Sequence, residues 1–152
     1  MNPAAEARQI LETLLGQLGF PARIEEEESP MGPVLQVDLE NAQALIGEKA
    51  ERLEDLQYLV NRLLQKKFPD APKVRVDVAH VREMKEEEMM EVVRAAAAQV
   101  RATGQPMQLP PMNSFHRRMV HQLFAEDPEI ATHSKEGSGR MKRLSLVPRV
   151  AG

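Results

Sequence analysis

The sequence predicts an α+β chain built as two small domains, and three observations carry that reading. Apolar residues recur at helical spacing in some segments and alternate at strand spacing in others. The order of these segments closes once near residue 79 and begins again with a long helix. Charge is also unevenly divided between the two parts. A chain of 152 residues holds one ordinary domain or two small ones, and 42% hydrophobic content suffices for packed cores.

The first domain, residues 1–79, reads helix, strand, strand, helix, helix, strand. Ala7, Ile10, Leu11, Leu14, Leu15 and Leu18 form a helical stripe, with Asn2 placed to cap, Pro3 in the first turn and Gly19 placed to stop it. "PARIEEEE" and "VLQVDL" flank the turn signal "SPMGP" and predict a hairpin, because Leu35, Val37 and Leu39 alternate with Gln36 and Asp38. "NAQALIG" is a short helical piece ending at Gly47. The longer helix "ERLEDLQYLVNRLLQKKF" presents Leu53, Leu56, Val60, Leu63 and Leu64 on one face, and "KVRVDV" alternates Val74, Val76 and Val78 with charge.

The second domain, residues 80–150, opens with a helix whose apolar stripe is Met84, Met89, Val92, Val93, Ala96 and Val100, ended by Gly104. After the Pro-bounded "QPMQLPPM" comes the helix "NSFHRRMVHQ". Two strand candidates follow, "EIATHSK" and "RMKRLSLV", joined by "EGSG" and closed by Pro148. The Glu-rich runs at 25–28 and 86–88 read as solvated faces, since strand alternation and helical rotation scatter them. His80 and His133 read as surface or strand-edge residues.

Composition excludes several classes of function. Cysteine is absent, which removes disulfides, thiolate metal sites and Cys nucleophiles and fits a reducing compartment. No apolar run approaches the roughly 20 residues that span a bilayer, so membrane insertion is not expected and the cytoplasm is the expected location. No H-E-x-x-H, Walker loop or diagnostic acid–histidine spacing occurs, so neither catalysis, a metal nor a cofactor is expected. Aromatics make up only 3%, which leaves few platforms for stacking bases. The net charge of −3 is asymmetric: residues 1–79 hold 9 Lys+Arg against 14 Asp+Glu, whereas residues 101–152 hold 8 against 4. A basic end on an acidic body suggests a polyanion site in the second domain, because phosphate responds to local field.

Two constellations localise that chemistry. Gly47 lies between two helices, where a glycine lets backbone approach a phosphate and the next helix offers free N–H groups; a plain helix stop is the structural alternative. On the helix "NSFHRRMVHQ", with Phe115 at zero and about 100° per residue, Met119, Val120, Leu123 and Phe124 form the buried side. Arg117 at about 200° and His121 at about 240° flank it, and Arg118 at about 300° faces away. An arginine fork and a directed imidazole N–H one turn apart suit an anion. The alternative is that Arg117 pairs with a carboxylate such as Glu126 while His121 satisfies a backbone group. Lys135, Arg140, Lys142 and Arg143 add positive charge along the following hairpin, and Gly137 and Gly139 allow its loop to expose N–H groups.

The order helix–strand–strand–helix–loop–helix–strand resembles the type II KH domain, with the loop Gly47–Glu48–Lys49–Ala50 in place of GXXG. The second glycine is replaced by Ala50, and Glu48 is an acid beside the expected phosphate. "MNSFHRRMVH" followed by a hairpin ending "RLSLVP" resembles the R-three-H domain, named for R-x-x-x-H, with helices packed on a small three-stranded sheet. Their tandem resembles the Jag (SpoIIIJ-associated) proteins over about residues 1–148, without the separate N-terminal domain typical of them. The resemblance implies a non-enzymatic bacterial regulator that binds single-stranded RNA, or single-stranded DNA, and acts in cell elongation and envelope control. It implies contacts by the pair Arg117 and His121 and by the loop residues Gly47 and Lys49, and the neighbouring cations Arg118, Arg140, Lys142 and Arg143 join the candidate contacts by their charge. It also implies a small KH-only protein, or self-association through the KH-like lobe, as partner. A protein-interaction adaptor with little RNA binding is the alternative. His116 stands where an acidic residue is common, at the third helical position if Asn113 is the cap.

Overall fold

Helix formation at the N-terminus follows from its cap. In a computed structural model of the chain, which describes residues 2–48, 51–134 and 140–149, the Asn2 side chain accepts from the Ala4 N–H at 3.0 Å. Pro3 sits at the first helical position, and α1 runs Pro3–Gln17. It ends before Gly19, whose φ of +82° is the left-handed conformation that glycine adopts without cost. The remaining elements are β1 (Arg23–Ser29), β2 (Gly32–Asp38), α2 (Ala42–Ile46), α3 (Glu51–Lys67), β3 (Arg75–Val78), α4 (Val81–Thr103), β4 (Met107–Gln108), α5 (Ser114–Phe124), β5 (Ile130–Ser134) and β6 (Leu144–Pro148). The chain divides into two compact units, Met1–Met84 and Lys85–Gly152, the division falling inside α4.

The first unit holds a mixed sheet in the order β1-β2-β3, with β1–β2 antiparallel and β2–β3 parallel. Its register places Ile24, Val37 and Val78 in one row and Glu26, Leu35 and Val76 in the next, all on the face that α1 and α3 cover. Ala7, Leu11 and Leu15 of α1 and Leu53, Leu56, Val60 and Leu64 of α3 complete this core. Leu18 and Leu63, expected on buried stripes, are exposed. Leu18 is the C-cap beyond the last residue of α1, and the position facing β3 beside Leu64 is taken by Asn61. The Asn61 carboxamide accepts from Val74 N–H and donates to Val74 C=O, both at 2.8 Å, and Gln57 Oε1 accepts from Val76 N–H at 3.0 Å. The outer edge of β3 is thereby closed by side chains of α3.

After β3 the chain reverses through Ala79 and His80, non-glycine residues with φ of +51° and +59°. Such a conformation costs on the order of 1 kcal/mol per residue. Asp77 offsets it. Buried on the far face of the sheet, it accepts from the N–H groups of Val78 and Arg82 through Oδ1 and of Glu83 through Oδ2, so it caps the first turn of α4.

The second unit is an antiparallel sheet, β4-β6-β5, packed under helices. Met90, Val93, Ala96, Ala97 and Val100 of α4 meet Val120 and Phe124 of α5 and Ile130, Leu144 and Leu146 of the sheet. The stripe on α4 is rotated from the one expected, because Met84 and Val92 are exposed and the buried line starts at Glu86. The third strand, β4, is only two residues long and pairs Met107 with Leu146. The last strand starts at Leu144, later than "RMKRLSLV" suggests, with Lys142 joined to Met112 by an isolated bridge.

Candidate nucleic-acid interface

The helix carrying Arg117 and His121 is started by Asn113, whose Oδ1 accepts from the His116 N–H at 2.8 Å. Arg149 ends it. Its guanidinium donates to the carbonyls of Phe124, Asp127 and Ile130, at 3.3, 2.8 and 3.0 Å, satisfying groups that the last turn leaves open. Asp127 accepts from the N–H groups of Glu129 and Ile130 and pairs with Arg101 at 2.5 Å. Those backbone hydrogen bonds first, and Arg101 after them, hold its carboxyl below the usual aspartate range against the opposing effect of desolvation.

Between these fixed ends, Val120 and Phe124 are buried and Leu123 is exposed. The buried side of α5 is thus turned toward the flank of Arg117 and His121 and away from Leu123, which corrects the arc expected from the sequence. Both side chains are half-buried. Arg117 donates through Nη1 to the Met112 carbonyl and, at 3.3 Å, to the Arg140 carbonyl. His121 Nδ1 meets Thr132 Oγ1, and Nε2 lies 3.4 Å from Ser134 Oγ, both on β5. Neither touches a carboxylate among the described residues. Nε and Nη2 of Arg117 have no hydrogen-bond partner there, and the long contact to Ser134 leaves His121 Nε2 weakly engaged. A Thr132 hydroxyl that donates to Nδ1 puts the proton on Nε2 and makes that nitrogen a donor.

The other expected residues fall as follows. Arg118 is exposed, its guanidinium 5.9 Å from the centre of the Phe115 ring. Arg140 and Arg143 are exposed and Lys142 is half-buried; Arg143 Nη1 lies 3.5 Å from Gln108 Oε1. None of these four meets a carboxylate among the described residues. Arg101 and Arg149 are committed to structure, whereas Arg117, Arg118, Arg140, Lys142 and Arg143 are left without a carboxylate among the described residues. Lys135, Gly137 and Gly139 lie outside the described residues, as do Lys49 and Ala50 of the first unit's loop. Gly47, at φ +72°, ends α2 and has Arg52 folded over it: an added Cβ would stand 2.9 Å from Arg52 Cγ, and Arg52 Nη1 donates to Ala44 C=O at 2.7 Å. Local packing alone accounts for that glycine.

His116 is the residue that does hold an acid. Its Nε2 lies 3.0 Å from Oε2 of Glu86, which is buried on α4. Reading the Glu run as wholly solvated missed this contact. The available signal was His116 itself, a histidine in place of the usual acid at the third helical position.

The family model of the R-three-H domain matches residues 87–148, the part of the second unit that carries the helix-borne Arg–His pair beside the three-stranded antiparallel sheet. The chain is homologous to proteins named RNA-binding protein KhpB. It is 28% identical over 131 residues to that of Clostridium symbiosum, covering 85% of this chain and 59% of the relative. It is 26% identical over 148 residues to that of Bacillus subtilis (96% and 71%), and 26% over 119 residues to that of Lactiplantibacillus plantarum (78% and 37%). The chain therefore spans less than two thirds of the length of the first and third of these relatives. These matches bear out the resemblance to the Jag proteins, with the family model covering the R-three-H part that carries "MNSFHRRMVH".

Proposed function

We propose that the chain is a cytoplasmic, non-enzymatic RNA-binding regulator whose second unit grips the phosphate backbone of single-stranded RNA. The observation that carries this reading is the half-buried Arg117–His121 flank, oriented by carbonyls and hydroxyls and free of carboxylates among the described residues, beside Arg140 and Lys142. Homologues named RNA-binding proteins support it, and no helix among the described residues is long and apolar enough to cross a membrane. Arg117 is held by one nitrogen, which leaves the other edge of its fork for a phosphate. His121 adds a directed donor, and Arg118, Arg140, Lys142 and Arg143 extend the field. Single-stranded DNA presents the same phosphates, so discrimination would come from 2′-hydroxyl contacts.

In this reading residues 1–79 keep a KH-like fold with a weakened loop. Gly47 is occupied by Arg52, and Glu48 is exposed where a phosphate would lie. One feature favours a pairing role for this unit. Tyr58, Leu59 and Leu63 are exposed on α3 between an acidic first turn, Glu51 and Glu54, and a basic last turn, Lys66 and Lys67. Two such helices laid antiparallel match opposite charges around an apolar centre, which suits self-association or a small KH-only partner.

Backbone amide NMR during titration with a short single-stranded RNA tests the assignment. Shifts are expected on α5, β5 and residues 140–144. Shifts confined to α2 and α3 would place binding on the first unit instead.

A further inference from the structure

We propose that Glu27, His80 and Glu83 form a site for one divalent transition-metal ion of the zinc or nickel kind, on the face of the first sheet opposite α1 and α3. One ligand atom from each lies within 4.8 Å of the others. They come from β1, from the turn after β3 and from the first turn of α4. Their closeness is made by the fold, since Glu27 is distant in sequence from the other two.

Electrostatics favours a cation there. Two carboxylates this close repel, and the His80 imidazole stands with them, its Nδ1 2.6 Å from Glu83 Oε2. The surrounding field is negative, since the carboxylates of Glu83, Glu27 and Asp77 all act on this position.

A buried polar group on the same sheet face is also left open. Gln36, on the same sheet face, is over nine-tenths buried, and its Oε1 has no hydrogen-bond partner among the described residues. Its Nε2 is committed to Asp77 Oδ2 at 3.2 Å, the same oxygen that receives the Glu83 N–H. The orientation of the amide is thereby set, and the orphaned oxygen shares its hydrogen-bonded neighbour with Glu83. A buried acceptor without a donor is rare in folded proteins, and water bound to a metal beside Glu83 would supply one.

The donor set selects the ion. One imidazole nitrogen and two carboxylate oxygens suit zinc or nickel, whereas magnesium and calcium prefer all-oxygen shells. Three protein ligands leave positions for water, and the bound ion would brace the first turn of α4 against β1. This site is independent of the proposed RNA-binding surface.

Isothermal titration of the tag-free full chain with zinc chloride, and separately nickel chloride, tests the proposal, with magnesium chloride as control. Saturable binding of one zinc or nickel ion is expected, with no magnesium heat. Glu27→Gln, Glu83→Gln and His80→Asn should each weaken it by on the order of tenfold or more. Asparagine tolerates the left-handed backbone, and circular dichroism checks that each variant is folded. His133→Asn should bind as the parent does, and zinc should shift amide resonances of β1, β3 and residues 80–84. Absence of saturable binding, equal binding of magnesium, or full affinity in the Glu27 and Glu83 variants overturns the proposal. So does loss on His133→Asn.

Discussion

Arg117 donates through Nη1 to the carbonyl of Met112, the same carbonyl that accepts from the Lys142 N–H at 3.0 Å. One main-chain oxygen thus ties α5 to the start of the last strand segment. Arg117 has a structural task and a binding task at once, carried by different nitrogens.

Because the two tasks differ, substitution at this position has two separable effects. Arg117→Ala is expected to lower stability by about 1 kcal/mol, since Met112 keeps its backbone bond. It should also weaken RNA binding about equally for every sequence, because phosphate contacts carry no base information. Urea unfolding and fluorescence anisotropy with several RNAs check both.

Thr132 positions His121 without bearing charge. Thr132→Val is expected to cost about 1 kcal/mol in urea unfolding and to reduce RNA affinity while leaving its salt dependence unchanged. A changed salt slope in this variant would contradict the role given to Thr132.

Asn61 carries the edge of β3 alone at Val74. Asn61→Leu removes a donor and an acceptor together and leaves two buried backbone groups without partners. A loss of about 2–4 kcal/mol is expected, read from thermal or urea unfolding.

Asp127 makes the second unit acid-sensitive. Its folded pKa lies below its unfolded value, so its contribution is fully present above about pH 4 and is lost as pH falls through the folded pKa. The stability difference between the parent and Asp127→Asn should therefore be constant from about pH 5 to 7 and shrink below about pH 4. Urea midpoints measured across that range check it.

Local signals were legible in the sequence wherever short-range chemistry decides. The caps Asn2 and Asn113, the stop at Gly19 and the alternation in β2 and β3 depend on neighbours within a few residues, and the structure has them where the sequence puts them. Apolar arcs were legible only to within a flank. Leu18, Leu63, Leu123, Met84 and Val92 belong to helical stripes by spacing, yet which flank meets a sheet depends on the layer opposite. Contacts between distant elements left no trace: the Glu86–His116 pair, the Asn61 clasp on Val74 and the Arg149 cap on α5 join residues whose approach only the fold creates. Of the proposed binding residues, Arg117 and His121 could be placed from helical spacing. The commitment of Arg117 to carbonyls could not, because it depends on where Met112 and Arg140 pass.

The salt dependence of RNA affinity, compared between the parent and an Arg117→Ala/His121→Ala variant, tests the central claim most directly. For the parent, log K should fall linearly with log salt, with a slope of roughly −0.7 per phosphate contact. The double variant should bind more weakly with a shallower slope, reduced by roughly 0.7 to 1.4. A flat response in the parent, or an unchanged slope in the double variant, would contradict a phosphate grip by this pair.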